Sequence, residues 1–166
     1  LPRTLSVANK LLSLRGAVDI TDDRGELAYR AKGSFSLLSP TWRLYRGDAE
    51  VGTVRKRLFS FVPTWRITGE LGEFSVRRKV FALRRRYYAV GGPRDGATVA
   101  GNIFDLRFNV SHAGETLAHA KGRLLSVRDR HDLEVVAEPE LFIVFVVLVL
   151  QLDRRDDQRA SRHDND

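Results

Sequence analysis

Leu141 to Leu150 form an unbroken apolar run near the C-terminal end of the chain. The run follows a long series of short, turn-punctuated stretches. It is flanked by Glu138-Pro139-Glu140 on one side and Asp153-Arg154-Arg155 on the other. Such a run must leave water, since burying one Leu, Val, Ile or Phe side chain is worth about 1.5–3 kcal/mol. A helical bilayer span takes about 20 apolar residues, so the run is too short to cross. Its Val, Ile and Phe residues suit a strand, and periodicity does not separate a buried strand from a buried helix. Length and flanks favour the helix. The stretch from Pro139 to Leu152 exceeds an ordinary strand, Pro139 suits a first helical turn, and Glu138 and Glu140 suit its positive end. Arg154 and Arg155 then suit the other end. A helix apolar on every side belongs in a core, and the shelter open to it here is a wall of the preceding strands wrapped around it.

A chain of 166 residues is long enough for one domain with a real core. Its 43% hydrophobic and 30% charged content places it with globular rather than disordered chains. The absence of cysteine excludes a disulfide framework, a thiolate metal site and a cysteine nucleophile, and suits a reducing compartment. Leu1 to Leu14 lack the continuous apolar stretch of a secretory leader. The formal net charge of +7 favours polyanionic partners: anionic lipid headgroups, nucleic acid or acidic proteins.

The segment before the apolar run repeats itself. Ser39-Pro40-Thr41-Trp42-Arg43-Leu44 returns as Val62-Pro63-Thr64-Trp65-Arg66-Ile67, and the stretches ending near Lys32 and Lys56 precede them. Degraded copies lie around Lys79 and Lys121. The unit reads as a strand ending at a Lys, a short connection and a second strand, at a spacing of roughly 23 residues. Gly, Asp and Pro at Asp22 to Gly25, Arg46 to Asp48, Gly69 to Gly72, Gly91 to Gly96 and His112 to Glu115 mark the turns. Phe104, Leu106, Phe108 and Val110 alternate with polar residues, as Trp65 and Ile67 do with Thr64 and Arg66, which predicts strands with one dry face. Many short strands at regular spacing suggest an antiparallel sandwich or barrel. Trp42 and Trp65, at equivalent repeat positions, are expected in its core. Residues 154–166 carry charge without an apolar period, which predicts a tail that frays beyond its first few residues.

These hairpin units and the closing apolar run, taken in order from about Leu12 to Asp153, resemble the LURP-one-related family. The best-matching pieces are Gly25 to Lys32, Val54 to Ile67 and the run ending Gln151-Leu152-Asp153. That family is grouped with tubby C-terminal-like and phospholipid scramblase proteins. The resemblance implies a mainly β fold: a closed antiparallel barrel of about twelve strands around a central hydrophobic C-terminal helix. Residues 1–153 would form this single domain. It implies no catalytic centre and no cofactor. Tubby relatives hold phosphoinositide headgroups with basic side chains, and some act in transcription. The chain departs from scramblases in having no cysteine to acylate, no Asp-rich calcium loop and a short apolar segment.

Enzyme signatures are missing from the sequence. The four histidines have no metal-ligand spacing, and there is neither a nucleophile elbow nor a phosphate-cradling glycine loop. The candidate functional residues are therefore basic: Arg55-Lys56-Arg57, Arg77-Arg78-Lys79 and Arg84-Arg85-Arg86, from neighbouring units. Only part of each cluster can face one side of a strand. Lys56, Arg57, Arg78, Lys79, Arg84 and Arg86 are the predicted contacts to anionic phospholipid, with Tyr87 and Tyr88 adding aromatic surface. The alternative partners for the same patch are nucleic acid or an acidic protein. No metal site and no membrane-spanning segment are expected, and the chain is read as cytoplasmic, at the membrane periphery.

Overall fold

The computed structural model describes residues 2–8, 16–34, 40–102, 107–121 and 130–163. In chain order the elements are β1 (Arg3–Ala8), β2 (Ala17–Asp22), β3 (Leu27–Ser34), β4 (Thr41–Arg46), β5 (Ala49–Lys56) and β6 (Thr64–Gly69). They continue as β7 (Gly72–Arg78), β8 (Arg86–Val90), β9 (Thr98–Asn102), β10 (Arg107–His112), β11 (Glu115–Lys121), β12 (Arg130–Val135) and the single helix α1 (Glu140–His163). Each strand pairs antiparallel with its sequence neighbours, and β12 returns to β1, with Arg3 opposite Val135 and Leu5 opposite Leu133. The wall is thus a closed twelve-stranded barrel. Closure leaves no strand edge for a stranger to pair with.

Leu141 to Leu150 are all buried, and α1 fills the barrel lumen. The inward residues of alternate positions on the strands meet it: Leu5, Ile20, Leu44, Ile67, Val76 and Val110 are buried in the same cluster. Phe74 packs tilted against Phe142 and edge-on against Phe145, with ring centroids 5.5 and 6.2 Å away. Close approach of wall and helix needs a missing side chain at Gly52, where a Cβ would stand 2.6 Å from Cζ of Phe145 and 2.7 Å from the Thr68 carbonyl oxygen. Trp42 and Trp65 are core residues, as their repeat positions predict.

On β10 the predicted alternation is observed, with Phe108 and Val110 in and Arg107 and Asn109 out; Phe104 and Leu106 lie outside the described residues. Thr64 departs from the expected wet face. It is buried, and its Oγ1 donates to the Val62 carbonyl oxygen at 2.9 Å, which holds the start of β6.

The two ends of the barrel differ. At one, the turn end, the connections between β4 and β5 and between β6 and β7 are two residues long. There Gly47 takes a φ of 59°, a left-handed value that glycine adopts without steric cost. The connections leaving β5 and β7 at the opposite, loop end are longer, residues 57–63 and 79–85. Helix α1 starts at the turn end, where Glu138 Oε2 accepts from the Glu140 N–H at 2.9 Å, and leaves through the loop end.

The tail corrects the sequence-based expectation. Instead of fraying beyond the first few residues after Asp153, the chain stays helical in α1 through His163. Residues 154–157 are half-buried, and Asp156 and Asp157 are bonded to the barrel mouth, which supplies the order their own composition does not.

Candidate functional site

The loop end gathers the predicted basic residues, but in two classes. Inward and outward directions alternate along β7 and β8, so Arg78 and its register partner Tyr87 turn toward the helix, while Arg86 turns outward. Asp153 of α1, only 2% exposed, receives them. Arg78 Nη1 donates to both Asp153 oxygens, at 3.0 and 3.1 Å, and Arg85 Nη1 to one at 3.3 Å. The Tyr87 hydroxyl donates to the same carboxylate in a short bond. Asp157 pairs with Arg85 and lies 3.8 Å from Arg78. Lys56 is drawn in by Asp156 at 2.6 Å and sits over the Trp65 ring, 5.6 Å from its centroid. Arg155 covers the Trp42 ring at the same distance of 5.6 Å. Burial and the neighbouring Arg159 lower the Arg155 pKa from its usual value. Burial and the Asp153 carboxylate raise that of Tyr87.

Lys56 and Arg78 therefore hold the helix in place. Arg57, Lys79, Arg84 and Arg86 are exposed and form no ion pair among the described residues. Lys79 lies over the ring of Tyr88, 5.9 Å from its centroid. The Lys79 N–H donates to the Arg86 carbonyl oxygen at 2.8 Å, which sets these two residues directly opposite each other at the base of the 79–85 loop. Arg57 occupies the base of the neighbouring loop, where its N–H donates to the Thr64 carbonyl oxygen at 2.9 Å. Of the two tyrosines predicted to add surface, Tyr88 does so; Tyr87 is fully buried, because its place in the alternation points it at Asp153.

Two features escaped the sequence reading. Asp153, Asp156 and Asp157 share one helix face by their i, i+3 and i+4 spacing, which was the available sign of an acidic stripe seeking cations. The other is the apolar content of the loops. Phe59, Phe61, Phe81 and Leu83 are 97–109% exposed, and Leu58 and Val80 are more than half exposed. The repeat places a connection after Lys56 and after Lys79, but nothing in it marks those connections as apolar and exposed.

At the turn end a smaller cluster mirrors the first. Glu140 accepts from Arg3 Nη1 at 3.1 Å and from the Tyr29 hydroxyl at 2.8 Å. No group of three His, Asp or Glu residues suited to a metal occurs among the described residues. Nor is any helix among them long and apolar enough to cross a membrane.

A closed antiparallel barrel threaded by one hydrophobic C-terminal helix defines the structural class. A sequence profile described as LURP-one-related matches residues 3–151, which span all twelve strands and most of the buried part of α1. The chain belongs to the LURP-one-related family. Among solved structures it is similar to an X-ray structure of a protein from Arabidopsis thaliana, with a TM-score of 0.64 and 18% identity. That similarity covers 93% of this chain and 91% of the plant chain, and it concerns the fold. Comparison with curated proteins gives no match.

Proposed function

We propose that this barrel is a non-enzymatic binding or scaffold domain whose loop end docks on anionic phospholipid surfaces. The observation that carries this reading is the set of exposed, unpaired cations Arg57, Lys79, Arg84 and Arg86 around the two described loops. Their neighbours Lys56, Arg78 and Arg85 are already neutralised by the helix. The net charge of +7 adds long-range attraction to the same partner. Each basic residue near an anionic membrane contributes about 1 kcal/mol, screened within a Debye length of about 10 Å at 0.1 M salt.

Co-sedimentation with vesicles tests the reading. The protein is expected to prefer phosphatidylcholine vesicles containing phosphatidylserine over phosphatidylcholine alone, and to lose that preference as salt rises. Replacing Arg57, Lys79 and Arg84 together by Gln should remove most of it, at roughly fivefold in affinity per residue. Equal binding to both vesicle types at low salt would overturn the proposal. A stronger, salt-steep preference for RNA or DNA than for vesicles would replace it with the nucleic-acid reading.

A further inference from the structure

The loop end carries more than charge. Seven phenylalanines lie among the described residues. Phe74, Phe108, Phe142 and Phe145 are buried, whereas Phe59, Phe61 and Phe81 are wholly exposed, all on the two loops that leave β5 and β7. Leu83 completes the set at 109% exposure. Leu58 and Val80, 55% and 51% exposed, lie on the same loops; outside them the large exposed apolar residues among those described, Leu27, Val90 and Val136, are only 36–47% exposed and lie singly near the turn end. Scattered single residues of that kind are ordinary, while a cluster of this kind marks a contact surface.

Geometry puts the two loops side by side. Residues 57–63 join β5 to β6 and residues 79–85 join β7 to β8, and β6 pairs with β7. With strands about 4.8 Å apart, the loop centres stand roughly 10 Å from each other. Both loops are tied at their bases. Arg57 N–H donates to the Thr64 carbonyl oxygen and Arg78 N–H to that of Pro63, at 2.9 and 3.0 Å. Ser60 and Thr64 share a hydroxyl bond of 3.0 Å inside the first loop. The apolar tips are therefore displayed by a braced frame. In each loop a cation precedes the tip, Arg57 in one and Lys79 in the other, and Arg84 follows the second.

We infer that these loops are paired hydrophobic prongs that enter the interfacial region of a lipid bilayer, standing the barrel on its loop end with the C-terminal half of α1 toward the membrane. The inference rests on the lipid-docking reading and adds insertion and orientation to it. Apolar tips with cations at their shoulders match a layer whose surface is anionic and whose interior is hydrocarbon. Long Arg and Lys side chains reach phosphate level while their stems follow the tips inward. A second copy of this chain is the poorer occupant. Tip-to-tip contact would bring Arg57, Lys79 and Arg84 against their own duplicates, on a molecule of net charge +7. A side chain nearly fully exposed has little packed against it, and a fluid layer accommodates it without a preformed pocket.

The test places a reporter on the tips. Trp42 and Trp65 are buried, so a tryptophan at position 81, from Phe81→Trp, supplies the environment-sensitive signal. Its emission is expected to shift to the blue on adding phosphatidylcholine–phosphatidylserine vesicles and to be quenched by lipids brominated on their acyl chains. A second variant, Phe59→Ser/Phe61→Ser/Phe81→Ser/Leu83→Ser, keeps every cation. It should unfold at the wild-type temperature, lose at least tenfold in vesicle affinity and release from vesicles at lower salt than wild type. Vesicle binding without the blue shift or acyl quenching overturns the prongs and leaves electrostatic docking standing. No vesicle binding by the wild-type chain removes both. A blue shift that grows with protein concentration in the absence of lipid assigns the loops to a second copy and also overturns the inference.

Discussion

Gly52 shows how a single missing Cβ fixes the distance between wall and helix. Its register partner is Gly69, and Phe145 occupies the space beside the pair. Gly52→Ala should cost about 1–3 kcal/mol, because a methyl group there forces Phe145 or the β6 backbone to move. Denaturant unfolding measures the loss, and adding Phe145→Leu should return part of it. Tyr87 gives a second prediction at this scale. Burial first, and the Asp153 carboxylate second, raise its pKa above the ordinary 10.0. The folded protein then retains a proton that the unfolded chain releases, so this contribution to stability is complete below pH 10 and declines as pH rises further. Tyr87→Phe should flatten the alkaline limb of a stability-against-pH curve while leaving its slope below pH 9 or so unchanged.

The helix is held at both ends of its apolar run by a buried carboxylate with a tyrosine and arginine, Glu140 at one end and Asp153 at the other. The two clusters differ in worth. Arg3 is half exposed, so Arg3→Ala should cost no more than about 1 kcal/mol. Asp153 is sealed between two guanidiniums, and Asp153→Asn leaves both facing a neutral amide; about 2 kcal/mol or more should be lost, read as a lower melting temperature. The helix was legible in the sequence from Leu141 onward because hydrophobic length and flanking charge both announce it. Its continuation to His163 was not. Asp156 and Asp157 are met by cations, Lys56 and Arg78, which lie far away along the chain and come close only when the barrel closes. The same blindness divided the basic residues: alternation predicts that some face inward, but not that an acidic helix face is waiting for Lys56, Arg78 and Arg85. The loop phenylalanines were hidden for a different reason. The repeat puts connections after Lys56 and Lys79, but Phe59 and Phe81 have the composition of strand residues, so their exposure is not announced.

The closed wall of the whole molecule was foreseeable from many short alternating strands, together with a run that needed cover. One arrangement gives every strand a partner on both sides and hides the helix at once. The distribution of surface properties follows from it: the two-residue turns after β4, β6 and β10 at one end, the apolar connections after β5 and β7 and the emerging helix at the other. The barrel is accordingly polar in the sense of having a direction. A chain ending before Pro139 keeps every strand but loses its filling, and it should show no cooperative thermal transition, measured by calorimetry.

The order of synthesis gives that last point a further meaning. Every stave of the wall leaves the ribosome before the residues that fill its centre, and β1 must wait for β12 before the ring can shut. Contacts so distant along the chain make folding slow and leave sticky intermediates in the meantime. A growing polypeptide of this design holds an unfinished, greasy trough until α1 has emerged, so its maturation waits on the synthesis of that helix.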